Sequence, residues 1–123
     1  MGCFKRRDSG IRAEIEALDF LKKNGLQLIQ KNFVGKRGEI DLIMQDQDDI
    51  VFIEVRYRHN NKYGSALETI DAIKQRKIIQ TAHYFLHKQQ LTDKVNCRFD
   101  VVAFEGTQLD WIKNAFEEVV DDE

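Results

Sequence analysis

Proline is absent from all 123 residues, which fits a compact fold with few rigid turns. Cysteine is scarce. Cys3 and Cys97 have neither metal-binding nor redox spacing and read as reduced thiols of a cytoplasmic protein. No apolar run approaches the length of a membrane span. The stretch MGCFKRRDSG has no apolar centre for a secretory signal, and Arg6 stands where an acylation signal wants Ser or Thr. There is no phosphate loop, no GxSxG, no Cys/His pairing for a covalent nucleophile and no motif for a small-molecule cofactor. The three histidines, His59, His83 and His87, lack zinc spacing. His83 and His87 are four apart but have no evident third ligand. No repeat, low-complexity segment or linker divides the chain. It is expected to form one domain over 1–123, with an acidic tail from about residue 117.

What is present is charge, at 33% of residues against 42% apolar, a globular rather than disordered balance. The formal net charge of −2 hides an uneven distribution. Glu117 to Glu123 carry five acids; the remainder has 19 bases against 16 acids. From Arg56 to Lys77 there are six bases (Arg56, Arg58, Lys62, Lys74, Arg76 and Lys77) against Glu68 and Asp71. A local basic surface suits a polyanion such as nucleic acid, while a solvated charged face explains the same composition.

Two apolar runs, Ile40–Met44 and Ile50–Val55, read as strands separated by the polar turn QDQDD. Each carries an acid where a core strand should be apolar, Asp41 in the first and Glu54 in the second. Burying a carboxylate without a partner costs several kcal/mol, roughly, so two acids on neighbouring strands suggest a shared cation. Period two puts Phe52, Glu54, Arg56 and Arg58 on one strand face and Val51, Ile53, Val55 and Tyr57 on the other.

Around this centre the pattern predicts a first helix over 10–24, ended by Asn24-Gly25, with Ile11, Ile15, Leu18 and Leu21 as its apolar stripe. Glu14 falls inside that stripe and needs a partner. Residues 26–34 suggest an edge strand, and 35–38 a turn with two bases, Lys36 and Arg37. Strands follow at about 39–45 and 50–58, then a polar loop over 59–68. Ser65 and Glu68 have capping-box spacing for a second helix running to about Gln89. Its apolar face is expected to comprise Ile70, Ile73, Ile78, Ala82, Phe85 and Leu86, with Lys74 among them, either snorkelling or aimed at a phosphate or at the acids. Cys97–Glu105 reads as a strand, interrupted by Asp100. Residues 108–113 read as a short last strand or the start of a helix, with Trp111 and Phe116 as anchors.

A hard divalent cation takes oxygen ligands. Asp41 and Glu54 could supply them, with the Val55 carbonyl and Glu14. A structural ion-pair network, Glu14 with Lys74 and Asp41 with Arg56, accounts for the same residues.

The segments IRAEIEALDFL, NGLQLIQKNF, GEIDLIMQD, VFIEVRYR, IKQRKIIQTAHYFL, CRFDVVAF and DWIKNAF together closely resemble the YraN-type family of small bacterial proteins. That family is similar to the PD-(D/E)XK nucleases, especially the archaeal Holliday-junction resolvases. The resemblance implies an α/β, restriction-endonuclease-like fold, a central mixed β-sheet flanked by helices. It implies magnesium- or manganese-dependent hydrolysis of DNA, on branched or recombination intermediates, and a homodimer. By motif, Glu14 matches the first-helix acid, Asp41 the motif's Asp and Glu54 its second acid. Arg56 falls at the lysine position. Arginine binds phosphate well but is a poor substitute for a lysine that must give up a proton, so either Arg56 or Lys74 is expected to stabilise the transition state. Lys36, Arg37, Arg58, Lys62, Arg76 and Lys77 would hold the DNA backbone. Gln80-x-x-x-Tyr84 is similar to a motif of exonuclease branches. The alternative is a catalytically inactive nuclease-like module that binds nucleic acid or a protein partner.

Overall fold

The computed structural model describes residues 2–58 and 70–117, with side chains described for 10–57 and 70–117. His59, Lys62, Ser65, Glu68, the side chains of Cys3 and Arg58, and the tail beyond Glu117 lie outside these. The chain runs α1 (Gly2–Lys23), β1 (Gln27–Val34), β2 (Glu39–Asp46), β3 (Asp49–Arg58), α2 (Ala72–Lys88), β4 (Cys97–Glu105) and β5 (Gln108–Phe116). The five strands form one sheet in the order β1-β2-β3-β4-β5. All neighbours are antiparallel except β3 and β4, which are parallel and joined through α2. A parallel pair needs such a crossover, and the helix supplies it. This is the expected mixed sheet flanked by helices.

Helix α1 begins at Gly2 rather than near residue 10. Gly10 lies within it, at a cost of about 1 kcal/mol relative to alanine, which a 22-residue helix absorbs. The helix stops where expected. Gly25 takes φ 95°, Leu26 N–H donates to the Leu21 carbonyl at 3.1 Å and Gly25 N–H to that of Lys22 at 3.0 Å. These are the two bonds of a Schellman stop, and buried Leu26 completes it by packing near Leu21.

The buried stripe of α1 differs from the expected one. Ala13, Ala17 and Leu21 face the sheet, whereas Ile11 and Ile15 are 51% and 55% exposed. The sheet beneath already presents Leu42, Met44, Val51, Ile53, Val102 and Phe104. Alanines on the helix let it approach that bulky surface closely. The rotation leaves Glu14 half-buried at the edge of the stripe, next to Ala13.

On the opposite face α2 covers a core of Phe33, Ile40, Ile43, Phe52, Ile78, Phe85, Phe99 and Phe116. Phe52 stacks on Phe99 and Phe99 on Phe116, at 5.6 and 5.2 Å between centroids. Phe116 is therefore the anchor that its sequence context implies, and Trp111 meets Phe20 edge-on at 5.9 Å on the α1 side. Two details of α2 are corrected. Its N-cap is Asp71, whose Oδ1 accepts from Lys74 N–H at 2.8 Å, so the helix starts after the Ser65/Glu68 position. Ile73 points outward and is 62% exposed. The last strand is also longer than expected, reaching Phe116.

Both outer strands are irregular. In β1 the register shifts between Leu28 and Gln30, and Asn32 takes φ 51°. In β5 Asn114 takes φ 52°, opposite a shift between Phe99 and Val101. Asparagine tolerates this left-handed region better than most residues.

Candidate active site

Strand β2 changes face at Asp41. Alternation would put residues 40 and 42 on one side of the sheet. Instead Ile40 belongs to the α2-side core and Leu42 to the α1-side core. The β2–β3 ladder is recorded from Asp46↔Asp49 to Leu42↔Ile53, while β3 continues against β4 as far as Arg58. Beyond Leu42 the two strands part. The Asp41 carboxylate fills the opening, and its Oδ2 accepts from the Val55 N–H at 2.8 Å. A side chain thus satisfies a backbone donor that the ladder leaves open.

Glu54 stands beside this opening on the α2 face, as the period-two pattern requires, and is only 7% exposed. Lys74 Nζ, one turn into α2, lies 2.9 Å from its Oε2, and Arg56 Nε lies 3.7 Å from the same oxygen. The alternative pairing, Glu14 with Lys74 and Asp41 with Arg56, is therefore not the one formed. Glu54 takes both cations because it shares a strand face with Arg56 and lies under α2.

The acids act on one another. Burial first, then the charge of Glu54, pushes the Asp41 carboxyl up to about 8; the Val55 N–H opposes this, and Glu14 adds to it. Glu14 is also raised, chiefly by burial, against a hydrogen bond from Asn32, with Glu39 and Glu54 contributing repulsion and Lys31 attraction. Glu14, Asp41 and Glu54 therefore share one electrostatic field, reached from two faces of the sheet. Among the described residues no three Asp, Glu, His or Cys side chains stand close enough together to enclose an ion. The close pair is Asp41 and Glu54.

A cleft of about 420 Å³ opens over that pair. Arg37, Gly38, Glu39, Asp41, Glu54, Asp71, Ile73, Lys74, Lys77 and Ile78 line it, so acids form its floor and three bases its rim. Of the residues singled out from sequence, Asp41, Glu54, Lys74, Arg37 and Lys77 meet here. Glu14 and Arg56 adjoin the acids without lining the cleft. Lys36 and Arg76 are exposed nearby on the β1–β2 turn and on α2, and His83 and His87 lie further along α2. Glu39, Asp71 and Asn32 were not anticipated. Asp71 could have been found as a helix cap three residues before Lys74, and Asn32 as a residue suited to a positive φ.

The model of the uncharacterised protein family UPF0102 matches residues 13–104, a span that contains every one of these acids. The chain belongs to the UPF0102 family. This is the YraN-type family that its segments resemble. A UPF0102 protein of Pseudomonas fluorescens is 48% identical over 111 residues, covering 89% of this chain and 92% of the relative. A UPF0102 protein of Coxiella burnetii is 50% identical over 109 residues, covering 88% and 91%. A third, from an Enterobacter strain, is 46% identical over 118 residues, covering 95% and 90%.

In this UPF0102 chain Asp100 belongs to a different arrangement. It is 1% exposed and accepts from Arg98 Nε at 3.1 Å, Trp111 Nε1 at 2.9 Å and Asn114 N–H at 2.9 Å. Arg98 extends the network to Asp46 at 2.9 Å. Burial works against the charge on Arg98, but Asp100 and Asp46 outweigh it and raise its pKa. This network ties β2, β4 and β5 together on the far side of the sheet's centre from the cleft, and Asp100 needs no chemical role. No helix among the described residues is long and apolar enough to cross a membrane.

Proposed function

We propose that the protein is a metal-dependent nuclease that hydrolyses DNA phosphodiesters. The observation that carries this reading is the pair Asp41 and Glu54, placed where β2 and β3 part, under a rim of Lys74, Lys77 and Arg37. The mixed sheet with a helix on each face agrees with the restriction-endonuclease-like fold that the sequence resemblance implies.

The residues present fit magnesium or manganese. Burial, and after it the charge of Glu54, holds a proton on Asp41 near neutral pH, and a hard cation with oxygen ligands can take that proton's place. Magnesium in particular is commonly held by one or two carboxylates together with substrate phosphate. Asp41 and Glu54 would hold the ion, with the Val55 carbonyl as a further oxygen donor, while Glu14, the third acid of the sequence pattern, would act on the site through its charge. Such an ion supplies an activated water and charge stabilisation at the phosphoryl oxygens. The chain's own part is positioning. Lys74 lines the cleft and brings its ammonium within reach of a phosphate over Glu54. Arg56 stands 3.7 Å from Glu54 and adds a second positive charge beside that carboxylate. Arg37 and Lys77 flank the opening, where backbone contacts fix orientation without reading sequence. Lys36 and Arg76 extend this surface, and Arg58 and Lys62 belong to the same assignment from sequence. DNA as partner, branched or recombination intermediates as substrate, and a homodimer remain part of this proposal.

The test is cleavage of labelled branched, single-stranded and duplex DNA with magnesium or manganese, comparing wild type with Glu54→Gln. Metal-dependent products that the variant fails to make support the reading. A second reading is favoured by one contact, the 2.9 Å Lys74–Glu54 ion pair, which neutralises Glu54 without any metal. On that reading the protein is a nuclease-like module that binds nucleic acid or a protein partner. Binding without cleavage, by wild type and Glu54→Gln alike, would establish it.

A further inference from the structure

Helix α2 turns a second stripe toward solvent. Ile73, Lys77, Gln80 and Tyr84 follow the spacing i, i+4, i+7 and i+11, so they stand in one row along the helix. All four are exposed. The row starts at the acid cleft, which Ile73 and Lys77 line, and ends roughly 16 Å away at Tyr84, given a rise of about 1.5 Å per residue. There a second depression of about 320 Å³ opens, lined by Gly35, Lys36, Arg37, Gln80, Thr81 and Tyr84. Arg37 lines both openings.

The two openings are separated by the β1–β2 turn, closed by the Gly35 N–H donating to the Gly38 carbonyl at 2.8 Å. Two glycines let this turn rest on α2. A Cβ on Gly35 would come within 3.3 Å of Thr81 Cγ2 and 3.5 Å of the Tyr84 ring, and one on Gly38 within 3.5 Å of Lys77 Cβ. The close approach brings Lys36 and Arg37 alongside the row. Among the described residues no acid pairs with Lys36, Arg37 or Lys77, and no group hydrogen-bonds the Gln80 amide. Tyr84 packs against Phe33 at 5.8 Å and leaves 43% of itself exposed; the ammonium of the exposed Lys88 lies over its ring, 5.8 Å from the centroid, where a stacking base would displace it.

We propose that this row is a track for single-stranded DNA, leading from the acid cleft to a base-stacking site on Tyr84. Proteins that hold single strands pair a basic groove for the backbone with aromatic faces for the bases. Here Lys77, Arg37 and Lys36 form the groove and Tyr84 the platform. The Gln80 amide, with donors and an acceptor, matches the polar edge of an unpaired base. The proposal names the substrate of the nuclease reading and takes its direction, strand into cleft, from that reading.

The test is fluorescence anisotropy in chelator, so that nothing is cut, with labelled oligothymidylate of about 12 nucleotides and a blunt duplex of equal length. The single strand is expected to bind at least about tenfold more tightly than the duplex. Tyr84→Phe should bind as wild type. Tyr84→Leu, which keeps the apolar contact with Phe33 but has no ring, should lose about tenfold. Gln80→Ala, at an exposed position with no packing role, should lose at least about threefold; it decides the matter if Tyr84→Leu fails to fold. Equal affinity for duplex and single strand overturns the track, as does wild-type binding by folded Tyr84→Leu or, in its place, by Gln80→Ala. Binding differences that hold in a protein with no cleavage activity would retire the nuclease reading and leave the track standing. Cleavage without those differences would do the reverse.

Discussion

Lys74 Nζ lies 2.9 Å from Glu54 Oε2, joining the first turn of α2 to the one buried acid of β3. Arg56, two residues from Glu54, is the more distant cation at 3.7 Å and does not line the cleft. The helix residue, far off in sequence, is thus better placed for the proposed chemistry than the strand neighbour.

Removal of the two cations should therefore have unequal effects. Lys74→Ala is expected to lower the DNA cleavage rate by about a hundredfold or more, the scale of a lost positioned charge or proton-transfer group. Arg56→Lys keeps a positive charge against Glu54 and should stay within about tenfold of wild type. Single-turnover rates with manganese separate the two. A larger loss in Arg56→Lys would return the role to the strand.

Stability should depend on pH through Asp41. Its pKa rises from 3.8 to about 8 on folding, so the folded state holds the proton more tightly. The associated stability is complete below pH 4 and is lost as pH rises through 8. Asp41→Asn keeps an acceptor for the Val55 N–H but has no proton to lose. In metal-free buffer its advantage over wild type should be absent near pH 4, grow between 4 and 8, and level off above. A plateau of about 2 kcal/mol is expected, less than the full shift implies because solvent reaches part of the carboxyl. Urea unfolding across that range reads the gap directly; a gap that stays constant with pH contradicts the assignment.

Metal should replace that proton. Below pH 8, manganese binding is expected to release a proton from Asp41, so calorimetric heats should vary with the buffer's ionisation enthalpy. Asp41→Asn should remove both the binding and the buffer dependence. No heat at millimolar metal would count against the cation site.

Asp100 should matter to folding alone. Asp100→Ala leaves half-buried Arg98 with Asp46 as its remaining acid and leaves the Trp111 and Asn114 donors without their acceptor. A loss of about 3 kcal/mol is expected in chemical denaturation. DNA cleavage per folded molecule, measured well below the variant's melting temperature, should be unchanged.

Much of this was legible in the sequence because β-strand periodicity is strict. The face shared by Phe52, Glu54 and Arg56 follows from counting by two, and the Asn24-Gly25 stop from glycine's tolerance of positive φ. Helix rotation was less legible. Ile11 and Ile15 look like a buried stripe, yet the alanines win because the sheet below already fills the space. The bend at Asp41 was hidden too, since nothing local distinguishes an acid that enters a strand from one that ends a ladder. By sequence Asp100 either serves chemistry, as Asp41 does, or pairs with Arg98; the pairing is the one formed, and Trp111 and Asn114 join it from the far edge of the sheet, which no local pattern shows.

The left-handed asparagines in the two outer strands bear on how the molecule behaves in a crowd. A straight strand margin with free backbone groups invites another chain to add on and continue the sheet. Asn32 and Asn114, each in a margin with a register shift, interrupt that template on both sides. Copies of this protein should therefore resist fibril growth through these two margins.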